Sequence, residues 1–154
     1  MARALTAVGV LLALLLGGAL LLIGTSGDRQ AIDPLLSERI SLAAARADRL
    51  GRPLDFAAVA PFDWDRLLII DPAAGPKTIS DALGFSWPGE VAFQTGDLLV
   101  FAQGSGVARY ADYRGEGGFD GVRRPVAVFD RAQARFRADG LILRPLSRAS
   151  GRAR

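Results

Sequence analysis

A chain of 154 residues, half of them apolar, holds one domain with its own core after a leader of about 25 residues is set aside. It contains no cysteine and no histidine, which excludes disulfides, thiolate or imidazole metal sites, cysteine nucleophiles, lipid attachment at an N-terminal cysteine and the commonest general base. The net charge of +3 belongs to the ends: Arg3, Arg144, Arg148, Arg152 and Arg154 supply five positive charges, and without them the chain stands at −2, so the domain offers nucleic acid no basic face.

Residues 4–24 carry no charge. Such a stretch, about 21 residues at about 1.5 Å each, matches the hydrocarbon thickness of a bilayer and exceeds the apolar centre of a cleaved secretory signal. Gly24-Thr25-Ser26 is a poor cleavage site, so residues 1–26 are expected to be an uncleaved signal-anchor helix. The short positive leader is expected to stay in the cytoplasm with the domain outside, although Arg29 and Arg39 beyond the span nearly balance it. Gly9, Ala13 and Gly17 form a small-residue stripe at four-residue spacing, the pattern that packs two membrane helices into a homodimer, and one that a Gly/Ala/Leu-rich segment also produces by chance.

After a short polar linker, Asp33-Pro34 reads as an N-cap and first helical residue. Leu36, Ile40, Ala43, Ala44, Ala47 and Leu50 follow at helical spacing, and Gly51 with Pro53 ends the helix. The alanine-rich stripe suits a helix laid across a sheet better than one on a membrane. Residues 54–61 read as irregular or short extended chain. Leu67-Leu68-Ile69-Ile70, bounded by Asp65-Arg66 and Asp71-Pro72, reads as a strand buried on both faces. Residues 77–83 read as two helical turns stopped by Gly84, and residues 85–89 as a turn carrying Phe85 and Trp87.

Beyond this the pattern is all β. Residues 97–103 and 107–113 make a hairpin across a three-residue Gly104-Ser105-Gly106 loop, and residues 114–121 are a glycine-rich mobile connection. Residues 125–130 read as a strand. Ala134, Phe136 and Ala138 alternate with Arg135, Arg137 and Asp139, and Asp139-Gly140 turns the chain into Leu141-Ile142-Leu143. The expected fold is α+β: a transmembrane helix, then the 34–50 helix and one short helix packed on a mostly antiparallel sheet of about four to six strands. The domain is expected over residues 27–146, with a disordered basic tail over 147–154.

Asp63, Asp65 and Asp71 are the candidate acidic cluster. Glycoside hydrolysis needs two carboxylates across a cleft, whereas Asp63 and Asp65 flank Trp64 on one extended segment, about 7 Å apart. The competing reading has one of them accepting backbone N–H bonds while Trp64 packs inward. Gly115-Glu116-Gly117-Gly118 lacks the strand, helix and Lys-Ser/Thr ending of a phosphate loop. Lys77 starts a helix where an anion can sit, but two turns make a weak dipole. Of Ser37, Ser80 and Ser105, only Ser80 has a base within helical reach, Lys77, without a buried lysine or a strained serine. Trp87, Tyr110, Tyr113 and Phe119 are the aromatics for a binding face, unless they complete the core.

Phe62-Asp63-Trp64-Asp65 with the aliphatic strand, then Pro72, Ile79, Leu83-Gly84 and Trp87, resembles a group of small, uncharacterised bacterial exported or lipoprotein-like domains. The later Leu99-Val100-Phe101 and Ala134-Arg135-Phe136 segments are similar too, so the resemblance covers about half the chain. It implies that Phe62, Asp63, Trp64, Asp65, Pro72, Gly84 and Trp87 serve the fold, and it carries no function. The chain departs from the lipoprotein members in lacking the lipobox cysteine, and Ala73 stands where an aromatic often follows the loop proline. The residues thus lead to a membrane-anchored, extracytoplasmic, non-catalytic module, with no metal or cofactor, that binds an envelope protein or polymer. Its rivals are a carboxylate-dependent hydrolase of an envelope polymer and a small-ligand sensor.

Overall fold

A computed structural model describes residues 32–89, 96–113 and 117–147. The expected membrane segment and the end of the basic tail lie outside these residues. Among the described residues, no helix is long and apolar enough to cross a membrane. The fold is α+β, with three helices and two sheets in which every strand pair is antiparallel. In chain order these are α1 (Pro34–Leu50), β1 (Leu54–Asp55), the single turn α2 (Phe56–Val59), β2 (Arg66–Ile70), α3 (Pro76–Leu83), β3 (Leu98–Gln103), β4 (Gly106–Asp112), β5 (Val126–Asp130), β6 (Arg135–Asp139) and β7 (Ile142–Pro145).

The larger sheet has the order β4-β3-β2-β5, so β2 is paired on both edges. Its side chains alternate between two separate cores. Leu67 and Ile69 point with Leu99, Phe101, Ala127 and Phe129 into the first core, and Leu68 and Ile70 point with Leu98, Val100 and Ala102 into the second. The period of two makes this unavoidable for a strand without polar residues. Leu36, Ile40, Ala44 and Ala47 of α1 help to close the first core, and Ala74, Ile79 and Leu83 at and before α3 close the second.

The single expected sheet is in fact two. A 3-10 turn at Arg131–Gln133 redirects the chain after β5, and β6 and β7 leave the large sheet to form a second one, ordered β1-β6-β7. The two-residue β1 holds its far edge through Leu54 opposite Phe136. Phe136, buried under the alternation seen in the sequence, packs edge-on against Phe56, Phe119 and Phe129 at ring separations of 5.1–5.4 Å. The 104–106 loop is also shorter than expected: Gln103 pairs with Gly106, which leaves Gly104-Ser105 as the turn. The described part of the glycine-rich connection is packed rather than loose. Phe119 is buried and bridges Leu143, and a Cβ at Gly117 would lie 2.6 Å from the Leu141 backbone.

Helix α1 is fastened to the edge strand β4 at its N-terminus. The Asp33 carboxylate caps the Leu35 and Leu36 amides at 3.1 and 3.0 Å, while the Asp33 amide donates to Tyr110 O. The buried Ser37 hydroxyl donates to Asp33 O and accepts from the Asp112 amide, 75 residues away. Arg109 reaches back to the same Asp33 carboxylate at 2.6 Å. The Leu36 amide, and after it the Arg109 guanidinium, hold the Asp33 carboxyl below its ordinary value of 3.8 against the opposing push of burial.

A depressed carboxyl adds stability that is present above the unfolded value and is lost as pH falls through the folded one. In Asp33→Asn the amide still caps the helix but loses its charge. Its urea midpoint should therefore lie below that of the parent at pH 7, and the gap should close as pH drops from about 5 to about 2. A gap independent of pH would mean that the carboxylate charge contributes nothing.

Candidate functional site

The Phe62-Asp63-Trp64-Asp65 stretch is a structural knot at the entry to β2. Trp64 is buried, its ring lies edge-on to Phe101 at 5.2 Å, and its indole N–H donates to Ala60 O at 2.9 Å. The Arg131 guanidinium lies 5.0 Å from the Trp64 ring centre and donates to the carbonyls of Phe62 and Trp64. Asp65 accepts the Gly104 amide at 2.7 Å through one oxygen and pairs with Arg66 through the other. Arg66 in turn donates to Leu83 O and Gly104 O, which binds the end of α3 to the β3–β4 turn. Asp63 is exposed and has no partner among the described residues.

The three aspartates do not converge. Asp71 lies beyond the far end of β2 from Asp65, a separation of about 20 Å at about 3.3 Å per residue. Carboxylates that share a glycosidic bond lie about 5–9 Å apart. Asp71 instead accepts the Ala73 amide and Arg124, and it turns the chain through Pro72. Arg124 also holds the buried Asp97 carboxylate through both oxygens, which in turn accepts the Phe119 amide. This ion pair gave no sequence signal, because its members are 27 residues apart and belong to no motif.

The other sequence candidates are likewise absorbed by the fold. Lys77 pairs with Asp81 one turn on, and the Ser80 hydroxyl donates to Pro76 O and accepts the Trp87 amide. Gly84 adopts φ +80° at the end of α3, a conformation that suits glycine. Trp87 is half-buried, edge-on to Tyr110 at 5.1 Å. Tyr110, Tyr113 and Phe119 are buried, so these rings complete the two cores instead of forming a binding face. Burial pushes the Tyr110 hydroxyl up to about 12, which keeps it neutral across the physiological range. The Trp87 indole N–H and the Tyr110 hydroxyl are both buried without a hydrogen-bond partner.

Among the described residues a surface feature remains open. A groove of about 360 Å³ lies between the first turns of α1 and the Pro61-Phe62 segment. Its walls are Leu35, Leu36, Pro61 and Phe62, and its charges are Asp33, Arg39 and Arg109. Arg109 is committed twice, to the Asp33 carboxylate and to the Phe62 ring, whose centre is 5.1 Å away. Arg39 has no partner among the described residues, and Leu35 is 71% exposed. The groove therefore sets apolar walls beside a cation that has no protein partner among the described residues. Sequence flagged Phe62 alone, since Asp33 and Arg109 meet across 76 residues. Among the described residues no group of acidic side chains can hold a metal ion.

No protein-family model matches the chain, and no curated protein or solved structure matches it either. The resemblance to exported, lipoprotein-like domains rests on the quoted residues alone.

The two aspartates beside Trp64 should behave differently. Asp65→Asn should cost about 0.5–1.5 kcal/mol once solvent screening is allowed for, read as a lower urea midpoint at constant slope, and Asp63→Asn should leave the midpoint in place. Trp64→Ala should cost about 3–5 kcal/mol, a large share of the stability of a small domain. Equal responses from the two aspartates would refute the assignment of Asp65 as the backbone clamp.

Proposed function

We propose that this protein is a membrane-anchored, extracytoplasmic module that binds an envelope protein or polymer without chemistry of its own. Residues 4–24 are the anchor, and the groove between α1 and Phe62 is the binding surface. The groove carries the reading: it has apolar walls and is edged by Arg39, which has no partner among the described residues. It suits a partner segment with an apolar side chain next to an acidic group, the pairing that fills an apolar site and satisfies a cation at its rim. The hydrolase reading lacks support from geometry, since Asp65 is spent on Gly104 and Arg66 and Asp71 sits at the opposite end of the strand. A small-ligand sensor keeps one argument, because the groove volume reaches the lower end of the range for small-molecule sites, about 300–1,000 Å³.

Two measurements test the proposal. A phosphatase reporter fused after Leu143 should be active and should stay with membranes through an alkaline wash; soluble activity would mean cleavage, and an active cytoplasmic reporter would mean the reverse orientation. Co-purification from native membranes should recover a partner that Arg39→Glu loses while the melting temperature holds. Recovery unaffected by Arg39→Glu would remove the groove from the proposal, and a small molecule released on denaturation would favour the sensor.

A further inference from the structure

The outward face of α1 has a pattern that the inward one conceals. Taken at 100° per residue, Leu35, Arg39, Leu42, Arg46 and Arg49 lie in one stripe along the helix, opposite the buried Leu36, Ile40, Ala44 and Ala47. Leu35 and Leu42 are 71% and 64% exposed, and Leu50 at the end of the helix is also exposed. Arg39, Arg46 and Arg49 have no carboxylate partner among the described residues. Glu38 at the margin of the stripe is its one acidic member, because Asp48 lies off to the side and accepts the Gly140 amide. Large exposed leucines cost solubility, and three unpaired arginines between them repel one another. A surface that is apolar at depth and anionic at its rim relieves both.

We propose that this face of α1 rests on the anionic headgroups of the bilayer that anchors the chain, with Leu42 at the acyl boundary and Arg46 and Arg49 on lipid phosphates, while Leu35 and Arg39 stay with the groove. The proposal rests on the anchored reading of residues 4–24 and adds the orientation of the domain. Chain length supports it. Nine residues separate Gly24 from Pro34, and whatever their conformation they reach no more than about 36 Å. Helix α1, about 25 Å long, begins at the end of that tether, so its N-terminus stays within that reach of the membrane. Leucines between arginines are the composition of an interfacial helix, in which the arginine stems lie along apolar surface while the guanidinium groups reach phosphate. The groove, which shares Leu35 and Arg39 with this face, then opens at headgroup level.

The absence of cysteine makes a clean test. The full chain is reconstituted in vesicles of phosphatidylcholine with phosphatidylglycerol, carrying one environment-sensitive fluorophore at Leu42→Cys or at Asp81→Cys. Asp81 is exposed on α3, on the opposite side of the large sheet. The Leu42 label should be blue-shifted and quenched by spin-labelled lipid, and the Asp81 label should be neither. Adding Arg46→Glu and Arg49→Glu, which lie away from the groove, should lower the ratio of lipid-seated to free domain by about tenfold or more, as should replacing the anionic lipid with phosphatidylcholine. Both sites are exposed, so the variants keep the fold. A Leu42 label as unquenched as the Asp81 label, in protein that stays with vesicles through an alkaline wash, would overturn the lipid contact and leave the anchor standing. Protein released by the wash would overturn both. A Leu42 label shielded in proportion to protein density but not quenched by lipid would assign the face to a second copy or an acidic protein instead.

Discussion

A five-residue strand whose four aliphatic residues are all buried sets the terms for the rest of this molecule. Leu67, Leu68, Ile69 and Ile70 alternate between faces, so the large sheet must be covered on both sides where β2 runs. Burying them is worth on the order of 6–12 kcal/mol, an upper figure comparable to the whole net stability of a domain this size. That gain requires two covers. Helix α3 with Ala74 supplies one, and α1 with the aromatic cluster around Phe56, Phe101 and Phe136 supplies the other. The second, smaller sheet follows from the same demand, since β6 delivers Phe136 and β7 delivers Leu143 to the first core.

Apolar covers do not fix direction, and here guanidinium groups do much of that. Lys77 is the one lysine among 19 basic residues. Arg66 joins the end of α3 to the β3–β4 turn, Arg131 joins the β5 exit to the β2 entry, and Arg124 joins the ends of β2 and β3 to the 117–121 segment. Each reaches at least one backbone carbonyl, and each has at least one acceptor from a segment remote in sequence. A planar group with five donors can satisfy several acceptors at once, which an ammonium on a flexible stem does less well. The aspartates answer in kind: Asp33, Asp55, Asp65, Asp71 and Asp97 all accept backbone amides.

This division explains what could be read in advance. Helix α1 was legible to the residue because its signals are local: Asp33-Pro34 at one end, Gly51 at φ +59° at the other. Strand β2, α3 and the alternation in β6 were legible for the same reason. The second sheet was not, because it depends on a two-residue β1 meeting a strand 80 residues later and on a 3-10 turn without a sequence marker. For the aromatic quartet of Trp87, Tyr110, Tyr113 and Phe119 the sequence left binding face and core both open, because composition shows which side chains are large and not which way they point; the rings complete the cores. Arg144, counted with the basic tail, lies in β7 and pairs with Asp120 and Asp139.

The groove was the least legible feature, and its origin shows why. Asp33 is needed as a helix cap, Arg109 lies on the edge strand that α1 covers, and Phe62 packs its ring edge on Phe101 at 5.4 Å. Each has a structural task that places it there, and the concavity is what their three tasks leave between them. Arg39 and Leu35 differ. Neither is required by the core, neither has a polar partner among the described residues, and both lie where α1 emerges from the fastening to β4. On a domain whose other central arginines are committed to carbonyls and carboxylates, an uncommitted cation beside an exposed leucine is the combination that fold stability does not account for. The same holds for Leu42, Arg46 and Arg49 further along the helix. The inward face of α1 answers to β4, β6 and the first core, and its outward face carries large side chains that no described element covers.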